Sequence, residues 1–429
     1  MKLAIVGSGI AGLVAAHHLH REHDITVFEA NDYVGGHTHT VEVEEEGRRL
    51  AIDTGFIVFN QSHYPRFTAL LDELRVETQP TVMSFGVSAP GENLEYNGTS
   101  LNTLFAQRRN LASPGFWRML ADIARFHEKA RQILAEGDED LSVRDYLRTA
   151  GLSRRFGEHY LLPLGSSLWS CPPEQFGEFP IRFVAEFLHN HAMLQWSGRP
   201  QWRVVAGGSQ RYVEKLTAPW SDRIRLCTPV HRVMRAADGV RLMTSHGVWE
   251  DFEHVVLACH ADQALRMLAD ASPLEREVLG AFPYQRNTAV LHTDTSVLPR
   301  RRRAWAAWNY RVPARPNGRV FVTYNMNHLQ SLDSATIYCV TLNGEDEIDP
   351  GHVIARFDYS HPLYVRGRRQ AQGRHGDLVN ANRTSFCGAY WGFGFHEDGV
   401  RSAEAVALAL KGVGHEQLHL RGSTAASAL

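Results

Sequence analysis

Residues 2–19 read KLAIVGSGIAGLVAAHHL, and this stretch decides the fold. Lys2 to Val6 is a short apolar strand, and the small residues through Leu19 make a helix. Between them Gly7 permits a tight turn, Gly9 leaves room for a diphosphate to approach the backbone, and Gly12 lets helix and strand pack closely. The helix start, at Ile10 and Ala11, offers free N–H donors and a partial positive charge to that anion. A second apolar strand, Ile25 to Phe28, ends at Glu29 and Ala30. A carboxylate there, about 20 residues past the glycines, accepts hydrogen bonds from a ribose. A glycine turn with no ligand would not need strand, helix, second strand and acid in register. The same stretch loosely resembles a secretory leader, but it lacks a cleavage site and is interrupted by glycines and by His17, His18 and His20. It is expected to be folded core.

Composition bounds the rest. The 429 residues suffice for two or three domains of roughly 100–200 residues each. The formal net charge of −2 supplies no field that would draw nucleic acid. Five cysteines, at 171, 227, 259, 339 and 387, show no CxxC spacing and are expected as free thiols in a reducing cytoplasm. No histidine or cysteine cluster has metal-ligand spacing, so no metal is assigned. His17, His20 and His23 are expected to face solvent. No apolar run reaches the 18 or so residues of a membrane span, and the tail from Gly422 to Leu429 is expected to fray.

Six residues after Glu29 stands Gly35-Gly36-His37. An acid, about five residues and a glycine pair resemble the flavin amine oxidase, phytoene desaturase and protoporphyrinogen oxidase superfamily. Further matches follow in order: Val204 to Ser209 with its glycine pair, the strand at Val230, the strand from Asp251 to Ala258, and Phe386 to Ser402. The resemblance implies non-covalent FAD. It implies an α/β fold, with a discontinuous Rossmann-like FAD-binding domain and an inserted α+β substrate domain of sheet plus helices. The FAD-binding parts are expected at 1–75, 204–272 and 382–412, the helical part of the substrate domain at 76–203, its sheet part at 273–381, and a tail at 413–429. The cofactor contacts implied are Gly7, Gly9, Ile10, Ala11, Gly12, Glu29 and Ala30, then Gly35, Gly36, His37, Thr54, Gly55 and Phe56. Val230, Ala258, Cys259, Tyr390, Trp391, Asp398, Gly399 and Val400 complete the set. The helix after Phe395 would face the flavin carbonyls, where negative charge grows on reduction.

The inserted parts carry periodicities of their own. Residues 114–137 are apolar at helical spacing, Ser142 caps a further helix, and Phe179 to Trp196 reads as a third. The runs TAVLHTD, RVFVTYNMN and TIYCVTLN, between 288 and 343, alternate as strands. Trp169 to Pro172 and the third helix are candidates for a substrate wall, although aromatic helix stripes also make plain core.

Chemistry needs a hydride donor placed against the flavin and a group that takes the accompanying proton. His260, after the strand at 251–258, and Tyr390 are the candidates. Amine oxidases of this superfamily commonly carry a lysine near the flavin; the few lysines here offer no counterpart. The stretches 59–74 and 163–194 resemble bacterial NAD/FAD-binding proteins encoded beside cyclopropane-fatty-acyl-type methyltransferases, some of them fatty-acyl desaturases of methylated or furan fatty-acid synthesis. That likeness implies a lipid substrate, a methyltransferase partner and a cytoplasmic enzyme, peripheral at the inner membrane face. The run Arg300 to Arg303 beside Trp305 suits an anionic lipid surface, and equally a solvated loop; no nucleic-acid motif accompanies it. The expected activity is removal of a hydride and a proton to leave a C=C bond. The alternatives are a flavin amine or protoporphyrinogen-type oxidase, and a non-catalytic FAD-stabilised lipid-binding scaffold.

Overall fold

In the computed structural model the described residues are 1–412, apart from 137, 139, 196, 246 and 314–317. The expected tail at 413–429 and the end of the third helix at Trp196 lie outside them.

Five parallel strands form the first sheet, in the order Ile224–Arg225, Asp24–Phe28, Lys2–Val6, His254–Leu257, Thr384–Phe386. Three separated stretches of chain therefore meet in one sheet. Side chains alternate across a strand, and Lys2–Val6 shows the consequence. Leu3 and Ile5 pack under the helices Ile10–Leu19, Gln210–Thr217 and His396–Leu410. Ala4 and Val6 face the opposite layer, a three-stranded antiparallel sheet of Val230–Arg235, Val240–Thr244 and Trp249–Phe252.

A second, seven-stranded sheet runs in the order Val353–Pro362, Tyr284–His292, Cys339–Leu342, Val322–Asn325, Trp308–Arg311, Phe85–Ala89, Leu94–Asn97. All its pairings are antiparallel except the parallel one between Trp308–Arg311 and Phe85–Ala89. The three alternating runs seen in the sequence all lie in strands of this sheet. Residues 76–203 are not purely helical, because Phe85–Ala89 and Leu94–Asn97 complete the sheet edge. Helices Pro114–Glu136, Val143–Thr149, Leu162–Trp169 and Ile181–Asn190 pack against that edge around one aromatic core. The Ser142 hydroxyl caps its helix by accepting from the Asp145 N–H. The third helix is shorter than its aromatic pattern, ending at Asn190.

His17, His20 and His23 are partly buried rather than solvent-facing. His17 Nε2 pairs with Glu73 at 3.0 Å, and His20 Nδ1 lies 2.7 Å from the His17 carbonyl. All five cysteines are free thiols. No helix among the described residues is long and apolar enough to cross a membrane.

Gly12 is the tightest joint between the first helix and its strand. A Cβ there would lie 1.9 Å from the Gly7 carbonyl oxygen and 3.2 Å from Ala258 Cβ. Backbone cannot rotate aside as a side chain can, so Gly12→Ala is expected to destabilise by about 2–3 kcal/mol. A drop in the urea midpoint of unfolding would show it; an unchanged midpoint would contradict the packing.

Candidate functional site

Two helix N-termini converge at the glycine turn. A Cβ on Gly399, in the first turn of His396–Leu410, would lie 2.8 Å from Ile10 Cγ2 and 3.7 Å from the Ala11 nitrogen. The glycine pair comes to the same place: Gly9 and Gly35 form a β-bridge, and a Cβ on Gly36 would lie 3.0 Å from Gly9 Cα. No side chain caps the helix Ile10–Leu19, so the first N–H groups of that helix keep donors that need an acceptor. The acids of the neighbouring first turn are already engaged. Glu397 accepts from the Arg66 and Phe67 N–H groups. Asp398 accepts from the Phe393 and Phe395 N–H groups and pairs with Arg401 at 2.8 Å. Burial raises both carboxyls above their ordinary range.

A dinucleotide fits this cradle. A Cβ on Gly9 would have nothing within 4 Å, so the space above that residue is open. Glu29 is buried and rigidly held: its carboxylate accepts from the Ser8 N–H at 3.0 Å, the Ser8 hydroxyl at 2.6 Å and the Asn31 N–H at 2.8 Å. Ile10, Ala11 and Gly12 with Gly35, Gly36 and Gly399 would take the diphosphate, and Glu29 the ribose.

Beside the cradle stands a stack of rings. His37, directly after the glycine pair, lies parallel to His361 (5.3 Å, 1°) and near His260 (5.9 Å, 28°), with Tyr359 edge-on at 5.0 Å. His260 in turn stacks on Tyr284 at 4.5 Å. Thr54 links the first strand region to this wall: its hydroxyl is 2.8 Å from Tyr359 Oη and 3.0 Å from His39 Nδ1. Gly55 is forced, since a Cβ would sit 2.1 Å from the His37 carbonyl. Phe56 stacks on His396 at 3.5 Å, and His396 Nε2 meets Thr38 (3.0 Å) and Tyr212 (3.1 Å). Asp53 accepts from the Ser209 N–H and hydroxyl and from Thr40, and burial lifts its carboxyl to about 6.

The stack is uncharged near neutral pH. Burial pushes His37 well down, and the neighbouring His361, His260 and His396 add to that; it also lowers His39 and His260. His361 is brought to about 4 and His396 to about 3. A chain of amides fixes the His361 tautomer. Asn343 is oriented by the Thr288 N–H and the Val320 carbonyl. It donates to Asn287 Oδ1 at 2.7 Å, and Asn287 Nδ2 donates to His361 Nδ1 at 2.9 Å. The neutral ring then carries its proton on Nε2.

No lysine reaches the site. The chain has four. Lys2 covers Phe252, Lys129 bonds the Ala150 carbonyl, Lys215 the Arg75 carbonyl, and Lys411 pairs with Glu22.

The other expected contacts lie partly against the cradle and partly in the core. Ala258 backs the glycine turn, and Val400 lies in the core under the first helix. Val230 belongs to the three-stranded sheet and Ala30 is exposed. Cys259 is half-buried, its thiol pushed up to about 12. Tyr390 and Trp391 pack with Phe282 in the core. Trp169 packs among Phe176, Phe179, Phe183 and Phe187 as core rather than as an open wall. His361, Tyr359, Tyr284 and Asn287 were not among the residues singled out by motif. The signal for Tyr359 and His361 is the alternation Phe357, Tyr359, His361 along one strand; Tyr284 and Asn287 lie on the paired strand and carry no such signal.

Comparisons with known proteins give the family and the fold. The family described as flavin containing amine oxidoreductase matches residues 10–303. A Mycobacterium tuberculosis protein named as a flavin-containing monoamine oxidase, AofH, is 26% identical over 260 residues, 57% of this chain and 54% of its own length. A 1-hydroxycarotenoid 3,4-desaturase of Flavobacterium sp. is 32% identical over 142 residues, 33% of this chain and 24% of its own. The chain thus spans about half the length, or less, of these relatives. The solved cyclohexylamine oxidase of Brevibacterium oxydans superposes with a TM-score of 0.69 at 16% identity, covering 96% of this chain and 99% of that one, which establishes the shared fold.

Two outcomes are expected. Gly9→Ala fits the backbone (φ −68°) but puts a methyl in the open cradle. Fluorescence titration should show FAD binding at least about tenfold weaker, a cost of about 1.4 kcal/mol, while the FAD-free protein melts unchanged; equal affinity would contradict the site. The histidines set an acid limb. Their folded values lie below the ordinary 6.5, so their stabilisation is complete above that pH and is lost as pH falls towards 4. His361 and His396, brought to about 4 and about 3, each contribute about 1.4 kcal/mol per pH unit below 6.5. Urea-unfolding free energy should therefore fall by at least about 3 kcal/mol from pH 6.5 to 5, less steeply in His396→Gln; a flat profile would contradict buried neutral imidazoles.

Proposed function

The chain belongs to the flavin-containing amine oxidoreductase family, and from that premise we propose an FAD-dependent oxidoreductase that desaturates a methyl-branched or unsaturated fatty-acyl chain. The observation that carries this reading is the uncharged ring stack beside the cradle, with every lysine elsewhere. A hydrocarbon substrate brings no charge, and a site of neutral imidazoles and phenols suits its desolvation. The carotenoid desaturase relative, by its name, works on an apolar polyene. A methyltransferase that builds the branched chain is the partner class that this reading implies.

Bound FAD supplies a two-electron acceptor for a hydride. One C–H bond gives up that hydride. The neighbouring C–H gives up its proton, and its electron pair closes the double bond. His260 is the proposed proton acceptor: it is neutral and held flat between Tyr284 and His37. With Nδ1 occupied by Asn287, His361 offers Nε2–H as a donor. His37 and Tyr359 keep the two imidazoles in place and water out.

The monoamine oxidase relative favours a second reading, amine oxidation. Anaerobic mixing separates the two. Bleaching of the flavin band by phospholipid carrying methyl-branched or monounsaturated chains, with mass analysis showing the product two hydrogens lighter, is the expected result. His260→Ala should retain FAD and slow that bleaching by about 10² or more. Bleaching by benzylamine or putrescine and by no acyl lipid would establish the amine reading instead. No bleaching by either class would point to the non-catalytic scaffold.

A further inference from the structure

The surface between residues 101 and 117 is unlike the rest of the molecule. Three large apolar side chains project there: Leu101 is 76% exposed, Leu111 52% and Trp117 50%. Among the described tryptophans only Trp117 is exposed to this degree. They are joined rather than scattered. Trp117 Nε1 donates to the Leu111 carbonyl at 2.9 Å, and its ring lies 5.3 Å from Phe105, which ends the short helix Leu101–Leu104.

That helix packs against the turn Arg302–Ala304, which brings the arginine run to the same face. Buried Glu95 anchors the run: it accepts from the Arg300 and Arg301 N–H groups and pairs with the Arg301 guanidinium at 3.2 Å. Glu95 is satisfied by that one arginine. Exposed Arg300, Arg302 and Arg303 have no carboxylate partner among the described residues, and neither do exposed Arg108 and Arg109. Arg108 instead bonds the Phe105 carbonyl and the Asn102 amide oxygen, beside Leu101, and Arg109 bonds the Asn93 carbonyl. The nearby acids are spent: Asp122 is buried between Arg118 and Arg125, and Glu92 meets Arg155 and His159.

We propose that this face is a docking surface for an anionic lipid bilayer, with Leu101, Leu111 and Trp117 entering the interface and five unpaired arginines meeting the headgroups. The two halves of the patch argue together. Arginine attracts an anionic surface, at about 1 kcal/mol per residue near it, and a long basic side chain can keep its head at the interface. Exposed leucines and a tryptophan gain only where an apolar medium is available. A nucleic acid would use the arginines and leave the leucines in water. The overall charge of −2 excludes a general attraction to anions, so the affinity must be local. This surface stands apart from the substrate reading, because its readout is binding and not turnover.

The test uses the full-length FAD-loaded protein in co-sedimentation with sucrose-filled vesicles. Vesicles of phosphatidylcholine alone are compared with an equal mixture of phosphatidylcholine and phosphatidylglycerol. The protein is expected to bind the anionic vesicles, more weakly as salt rises, and the neutral ones at least about tenfold less. Arg302→Glu with Arg303→Glu should weaken binding about tenfold or more. Leu101→Ser with Trp117→Ser should weaken it several-fold while the flavin spectrum and melting temperature stay unchanged. Arg232→Glu, on the exposed side of the three-stranded sheet, is the control and should change little. Equal binding to both vesicles, or none to the anionic ones, would overturn the proposal. So would anionic binding that neither double variant alters, or binding of duplex DNA in place of vesicles that only the arginine variant loses.

Discussion

Everything at the site depends on two helix N-termini meeting with only glycine between them. The helices Ile10–Leu19 and His396–Leu410 come from opposite ends of the chain, yet their first turns touch through Gly399 against Ile10 and Ala11. Gly9 and Gly36 close the third side. Any side chain larger than hydrogen would fill the space or part the helices. The gain would be electrostatic: two partial positive ends, with the uncapped N–H groups of Ile10–Leu19, would address one anion. The acids of the second helix are turned to other donors. Glu397 is drawn to the helix Pro65–Glu73, and Asp398 to the loop before its own helix.

The rings beside the cradle follow from the same economy of charge. A diphosphate held there would bring its own negative charge, and the helix termini would answer it. The remaining wall can then be built from neutral groups, and burial holds every imidazole there uncharged. The Asn343–Asn287–His361 chain adds direction, because a neutral histidine is useful only when its proton is on a known nitrogen. Two strands of the seven-stranded sheet, Tyr284–His292 and Val353–Pro362, carry this wall to the cofactor sheet. The larger sheet therefore does more than support the helices.

Much of this was legible from sequence because it is local and steric. The glycine turn, its flanking strands and Glu29 are fixed by spacing within about 30 residues of a βαβ unit. The Ser142 cap and the alternating strands between 284 and 343 also declare themselves. The ring stack does not. His37 and His260 were visible as residues next to motifs, but Tyr284 and His361 reach them only through the pairing register of two distant strands. The same limit applies to Trp169. An aromatic stripe has one appearance whether it lines a pocket or fills a core, and here Phe176, Phe179, Phe183 and Phe187 close around it. His17 and His20 escape the sequence for a different reason: their partners, Glu73 and the helix's own carbonyl, are invisible to periodicity.

If the converging helix termini hold the cofactor's diphosphate, a crystal structure of the FAD-loaded protein will show phosphate oxygens within hydrogen-bond distance of the Ile10 or Ala11 N–H groups and against Gly9 and Gly36, with a ribose hydroxyl on Glu29. A flavin bound elsewhere, with water in the Gly9–Gly36 cradle, would contradict that placement.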